Sequence, residues 1–144
     1  YFQFRKNSAL KLFEGCQGYA DGAQMRDFVY VEDVVSVAMH FMTAGVSGIF
    51  NCGTGRAQPF NDVALSVVNA LSGRRRTLEE AVSEGLIEYI DFPEALKGKY
   101  QAFTEANLER LRAAGCEVAF RSVEEGTTEY MKYLSRTYPD GELV

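Results

Sequence analysis

The chain is poor in the side chains that build metal and disulfide sites. It has one histidine, His40, and three widely spaced cysteines, Cys16, Cys52 and Cys116. No CxxC or comparable ligand spacing occurs, so neither a zinc site nor a disulfide framework is expected. Unpaired thiols fit a reducing cytoplasm. His40, alone on a helix with no partner motif, reads as a packed or surface side chain and not as a catalyst. Positive charge is also in deficit: 15 Lys and Arg stand against 20 Asp and Glu, a net charge of −5. A sequence-blind nucleic-acid binder needs a basic face to displace phosphate counterions, so no nucleic-acid partner is expected. The basic run Arg74-Arg75-Arg76 reads as solvated surface. No apolar stretch approaches the roughly 20 residues needed to span a bilayer, and the opening does not read as a signal peptide; no membrane partner is expected.

Several catalytic signatures are missing. A dinucleotide cradle needs glycines for a tight turn, for close backbone approach to the pyrophosphate and for helix packing. Gly53-Thr54-Gly55 comes nearest, but Gln58 occupies the third glycine's place; Gly15 and Gly18 are followed by Asp21, a carboxylate that would repel a pyrophosphate. Both read as turns or loops. No tyrosine is followed four residues later by lysine, the pairing that lowers a phenol's pKa for acid and base work. HExxH, GxSxG and a Walker loop are absent too.

What remains is an ordinary globular balance, 47% hydrophobic and 24% charged over 144 residues, enough for one core. The chain opens on Tyr1, and YFQFRKN reads as the end of a helix already under way, its Arg5 and Lys6 suiting a helix C-terminus. A longer native chain is therefore expected. Strands are expected at Lys11–Phe13, Phe28–Val31, Ile49–Cys52 and Ile87–Ile90. The glycine-rich residues 15–25 read as a mobile surface loop.

Between the strands, Glu32-Asp33 opens a helix closed by Gly45, with Val34, Val35, Ala38, Phe41 and Met42 as its apolar stripe. A further helix starts near Pro59 or Asn61, with Val63, Val67, Ala70 and Leu71 on one face. Thr77-Leu78-Glu79-Glu80 and Ser122-Val123-Glu124-Glu125 match capping boxes. The helix that Ser122 opens carries Val123, Thr127, Tyr130, Met131 and Leu134 on one face. Thr104 is the expected cap of a helix carrying Leu108 and Leu111 and stopping at Gly115. The order is an α/β alternation. The stripe from Val34 to Met42 wants a sheet to cover it, and few strands remain to do so, so an exposed apolar patch, with oligomerisation or marginal stability, is expected.

Two segments carry more. Arg26-Asp27-Phe28-Val29-Tyr30-Val31-Glu32-Asp33-Val34, followed by Gly48-Ile49-Phe50-Asn51-Cys52-Gly53-Thr54-Gly55, resembles the paired signatures of the extended short-chain dehydrogenase/reductase family. Three further segments, Lys11–Gly15, Lys97–Thr104 and Leu111–Gly115, together with Glu124–Met131, resemble that family's ADP-glyceromannoheptose 6-epimerases. The likeness runs along essentially the whole chain and covers the family's C-terminal half.

The resemblance implies an α/β fold consisting of the substrate lobe plus elements that complete a Rossmann domain, with residues of about 28–45 packing on that domain and the N-terminal NADP-binding half absent. It implies an ADP-heptose substrate, NADP held by the other half, a homo-oligomeric full-length enzyme, and no catalytic residue within these 144. Substrate contacts carry over to Phe13, Glu14, Gly15 and Cys16, to Arg26 and to Tyr100. The chemistry agrees: Arg26 offers a planar fork of donors for diphosphate oxygens, Tyr100 a ring and a hydroxyl, and Gly15 a backbone that a ligand can approach. Cys16, where the family carries a small hydroxyl residue, is a weaker donor. Arg26 could instead pair with Asp27 or Glu14, and Tyr100 could be lobe packing. Other readings stay open: an extended dehydrogenase acting on a UDP- or dTDP-sugar, and a non-enzymatic binding or assembly module.

Overall fold

The computed structural model describes residues 1–142. Its elements run α1 (Phe2–Asn7), β1 (Leu10–Phe13), β2 (Met25–Arg26), α2 (Val31–Ala44), β3 (Gln58–Pro59), α3 (Phe60–Ser72), α4 (Leu78–Ser83), β4 (Ile87–Ile90), α5 (Glu109–Ala113) and α6 (Val123–Thr137). A one-turn 3-10 helix, Glu94–Leu96, follows β4. This is the α/β alternation expected.

β1 and β4 pair in parallel, Leu10 opposite Ile87 and Phe13 opposite Ile90. A parallel pair needs a long crossover, and here α2, α3 and α4 all lie between the two strands in sequence. α3, α4 and α6 close over the pair. Leu10, Ala64, Val67, Val68, Ala81, Ile87, Met131 and Leu134 make the main core. α4 and α6 begin where side chains supply acceptors for orphan N–H groups. Thr77 and Ser122 form reciprocal capping boxes with Glu80 and Glu125, as expected from the spacing. α1 docks on the far end of α6, Tyr1 donating its hydroxyl to the Tyr138 carbonyl at 2.6 Å and Arg5 reaching Pro139.

A smaller cluster joins α2 to the segment around α5: Val37, Leu111 and Cys116, flanked by Phe41, Phe50, Leu108, Val118 and Phe120. Apart from Phe41, the apolar stripe expected on α2 faces away from this cluster. The inward residues of α2 are Asp33 and Val37, one turn apart, while Val34, Val35, Ala38 and Met42 face outward and Phe41 is half-buried. Asp33 is held inward because Arg121 donates to it from its backbone N–H (2.8 Å) and from its guanidinium. The outward residues leave the exposed apolar patch that was expected, with Met42 76% and Val35 54% exposed.

Three local expectations fail. Phe28–Val31 and Ile49–Cys52 are not strands: 28–30 and 49–52 carry none, and Val31 already opens α2. Branched and aromatic residues favour extended backbone, but a strand exists only when a neighbour takes its hydrogen bonds. Phe28 turns instead to the Phe60 ring, 5.2 Å away, and Phe50 stacks on Phe41 at 4.4 Å. Thr104 caps no helix. α5 starts only at Glu109, whose N–H is taken by the Asn107 side chain at 2.8 Å.

Candidate functional site

The R-D-F and G-T-G segments meet in space. Asp27 places its carboxylate inside the Gly53-Thr54-Gly55 turn. It accepts from Thr54 N–H (2.7 Å), Thr54 Oγ1 (2.6 Å), Gly55 N–H (2.9 Å) and Ala106 N–H (3.0 Å). Partial burial by itself would raise the Asp27 pKa. The bonds from Thr54, Ala106 and Gly55 outweigh it and hold the carboxyl below its ordinary value. Gly53 must be glycine for a steric reason, since an added Cβ would lie 2.6 Å from Asp27 Oδ2 and 2.8 Å from Ala106 Cβ. The turn thus uses its donors on a carboxylate within the chain. It presents no cradle for a dinucleotide.

Next to Asp27, Arg26 points the other way. Its guanidinium carbon lies 5.1 Å from the centre of the Tyr100 ring, and Nη1 donates to the Met25 carbonyl at 2.9 Å. Among the described residues it pairs with neither Asp27 nor Glu14, so a strong anion donor stands on an aromatic face with no carboxylate of its own. Tyr100 meets Phe92 edge to face at 5.2 Å, and Phe92 meets Phe13 at 5.5 Å. An aromatic line therefore runs from Arg26 to the end of β1. On one side lies a cavity of about 320 Å³ bounded by Lys11, Leu12, Phe13, Gly22, Gln24, Phe60 and Tyr100. On the other lies one of about 270 Å³, whose walls include Gly15, Cys16 and Phe92.

The residues expected from the sequence therefore converge: Phe13 and Tyr100 on one cavity, Gly15 and Cys16 on the next, Arg26 over Tyr100. Glu14 is the exception. Its side chain is exposed, and it contributes backbone, its N–H on the Ile90 carbonyl and its own carbonyl taking Gln24 Nε2 at 2.8 Å. Gly15 is also needed for a different reason than expected. An added Cβ would lie 2.1 Å from the Tyr19 carbonyl oxygen, so the close approach is to the loop itself.

Residues 15–24 do form a surface loop, but it is stitched down. Gly15 N–H binds Asp21 Oδ1 at 2.8 Å, Gln17 Nε2 reaches the Tyr100 carbonyl at 2.7 Å, and Asn61 Nδ2 holds the Asp21 carbonyl at 2.9 Å. Gln17 adopts φ 53°, the left-handed region unusual for a side chain of this size. Phe92, Gln17 and Gln24 were not marked by any motif. Hydrogen bonds around the loop reveal Gln17 and Gln24, and ring contacts reveal Phe92. Elsewhere, Cys52 has its thiol pushed up by burial and by neighbouring Cys116, which argues against a nucleophile there. His40 sits edge-on to Phe41 with a buried Nε2 that has no partner among the described residues. Among the described residues there is no cluster suited to a metal ion, and no helix is long and apolar enough to cross a membrane.

The chain is similar to several known proteins. Residues 3–53 match the NAD dependent epimerase/dehydratase family. The chain is 56% identical over 137 residues to an ADP-L-glycero-D-manno-heptose-6-epimerase of Thiobacillus denitrificans, covering 92% of this chain and 41% of that relative. It thus spans about two fifths of the length of the curated relative it matches. Among solved structures it superposes on the Helicobacter pylori ADP-L-glycero-D-manno-heptose-6-epimerase with a TM-score of 0.64 and 25% identity, covering 92% of this chain and 35% of that one. It shares its fold with the Bordetella bronchiseptica enzyme WbmH, solved with NAD+, at a TM-score of 0.66 and 16% identity, covering 95% of this chain and 39% of that one. Motif, sequence and fold together make this chain similar to part of an enzyme of the NAD dependent epimerase/dehydratase family.

Proposed function

We propose that this chain is the sugar-nucleotide-recognising portion of an enzyme that interconverts ADP-D-glycero- and ADP-L-glycero-D-manno-heptose at C6 by NADP-dependent oxidation and re-reduction, supplying a precursor of the lipopolysaccharide inner core. One observation carries this reading. Arg26, with no carboxylate partner among the described residues, lies over Tyr100 at the head of an aromatic line flanked by two cavities. In this reading Arg26 binds diphosphate oxygens with its fork of donors. Tyr100 and Phe13 pack against the ligand, and Gly15 and Cys16 face its polar groups.

NADP supplies hydride acceptance and return in such a reaction. The residues of this chain do not fit that cofactor: the Gly53-Thr54-Gly55 turn is filled by the Asp27 carboxylate. The reading therefore assigns NADP and the acid and base residues to chain outside these 144. The exposed face of α2 packs on that Rossmann half. The isolated chain is inactive, and the whole enzyme is a cytoplasmic homo-oligomer.

The test is expression of the complete open reading frame that encodes these residues. Its intact mass is expected near twice 16.1 kDa. Turnover is followed by NMR at C6 of the heptose, with ADP-, UDP- and dTDP-sugars in competition. Epimerisation with preference for ADP supports the proposal. Preference for a uridine or thymidine nucleotide, or turnover by the 144-residue chain alone, overturns it.

A further inference from the structure

We infer that Gln24 is the positioning residue of this site: its side-chain amide fixes the Glu14–Cys16 wall against which the ligand must sit. The inference rests on the reading of the site proposed above. Gln24 is 2% exposed and stands on the boundary of the larger cavity. Its Nε2 donates to the Glu14 carbonyl at 2.8 Å and approaches Cys16 Sγ at 3.6 Å. Its backbone carbonyl accepts the Phe60 N–H at 3.2 Å, which ties the residue to the start of α3.

The side-chain amide thus holds the wall of the site from a residue whose backbone is tied to the start of α3. The other ties on the wall are backbone contacts, Glu14 N–H to Ile90 and Tyr19 N–H to Cys16, and the Asp21 bond to Gly15. None of these comes from the cavity boundary. Without the Gln24 donor the Glu14 carbonyl loses its side-chain partner, and a half-buried polar group then moves to find water.

Two variants separate donation by the Gln24 amide from packing. Gln24→Met keeps the volume and removes the donor. Gln24→Glu keeps the shape but, when ionised, turns an acceptor towards an acceptor. Burial raises the pKa of such a carboxyl, and its protonated form can donate again. Its titratable surroundings are Cys16 beside it and Lys11 and Tyr100 on the same cavity, so each variant is compared with wild type at the same pH.

The complete protein is assayed in two ways: KM and kcat with ADP-glyceromannoheptose, and the rate of Cys16 alkylation by iodoacetamide read by peptide mass spectrometry. For Gln24→Met the expected result is a KM raised about tenfold, in line with losing one buried hydrogen bond, with kcat within about twofold and Cys16 alkylated several-fold faster. Gln24→Glu should match it at pH 8 and move towards wild type near pH 5.5. Wild-type KM and Cys16 reactivity in both variants overturns the inference. So does an identical defect in both at every pH, which would mean packing alone. A wild-type protein without turnover removes the proposed function, while the Cys16 comparison still decides the role of Gln24.

Discussion

Replacing Asp27 by Asn tests whether the carboxylate is what closes the Gly53-Thr54-Gly55 turn. The side chain keeps its shape, and one oxygen can still accept from Thr54 N–H and Oγ1. The other oxygen, Oδ2, now accepts from Gly55 N–H at 2.9 Å and Ala106 N–H at 3.0 Å. In Asn an NH2 group stands there and meets two donors. Hydrogen bonds to a charged acceptor contribute about 1.5–3 kcal/mol each. Discounting for the partial exposure of Asp27, the loss comes to about 2–3 kcal/mol, a fall in Tm of roughly 6–12 °C for a chain of this size. The pH dependence has a definite sign. The folded carboxyl is held below its ordinary value. Its contribution is therefore fully present above the unfolded-state pKa of about 3.9 and is lost as pH falls through the depressed folded value. Thermal melts followed by circular dichroism should show a gap between wild type and Asp27→Asn that is constant from pH 5 to 8 and narrows below about pH 4. A gap under about 0.5 kcal/mol, or one unchanged down to pH 3, would refute the account of the turn.

Arg26→Lys should weaken ADP binding by the complete protein about tenfold in titration calorimetry, because an ammonium cannot offer the paired donors of a guanidinium; unchanged affinity would place the diphosphate elsewhere. Gly15→Ala puts a Cβ 2.1 Å from the Tyr19 carbonyl oxygen. The loop must shift, so substrate affinity should fall at least tenfold with a stability loss of about 1–3 kcal/mol. Expressed alone, the 144-residue chain should self-associate through the apolar face of α2. Val35→Glu together with Met42→Glu should shift it towards monomer in sedimentation velocity, since both residues are more than half exposed. In the complete protein the same pair should destabilise if the proposed Rossmann half covers that face.

Much of the architecture was legible because it is decided within a few residues. The capping boxes at Thr77 and Ser122 need only side chains three positions apart, and both formed. Gly45 closes α2 in the left-handed conformation that its residue type favours. The candidate site residues came from motif likeness, and five of the six, all but Glu14, have side chains or backbone at the aromatic line or its cavities. Phe92, Gln17 and Gln24 could not be read in advance. Each acts through a partner distant in sequence, as Gln17 does on the Tyr100 carbonyl, and no local pattern encodes such a meeting. Thr104 failed as a cap because Asn107 lay nearer the helix and took the N–H first.

The failures around α2 share one cause and one place. Phe28–Tyr30 runs directly into α2, and Phe50 of the second missing strand stacks on Phe41 of that helix. Ile49 beside it is 84% exposed, and the outer face of α2 carries Val31, Val35, Met39 and Met42, each more than half exposed. Two segments of strand composition thus stand without a strand beside a helix with an uncovered apolar face. Composition favours extended backbone there, but a strand forms only where a neighbour takes its hydrogen bonds. The core formed by β1, β4, α3, α4 and α6 has no such gap, and there the expected elements formed. In the proposed reading β1, β4, α3, α4 and α6 belong to the substrate lobe, and the outer face of α2 is the edge that meets the Rossmann half. If the complete protein is made, hydrogen exchange at 28–31 and 49–52 should slow by at least tenfold relative to the 144-residue chain, because strand pairing would then protect N–H groups that have no ladder here. Equal exchange in both would mean that these segments never were strands.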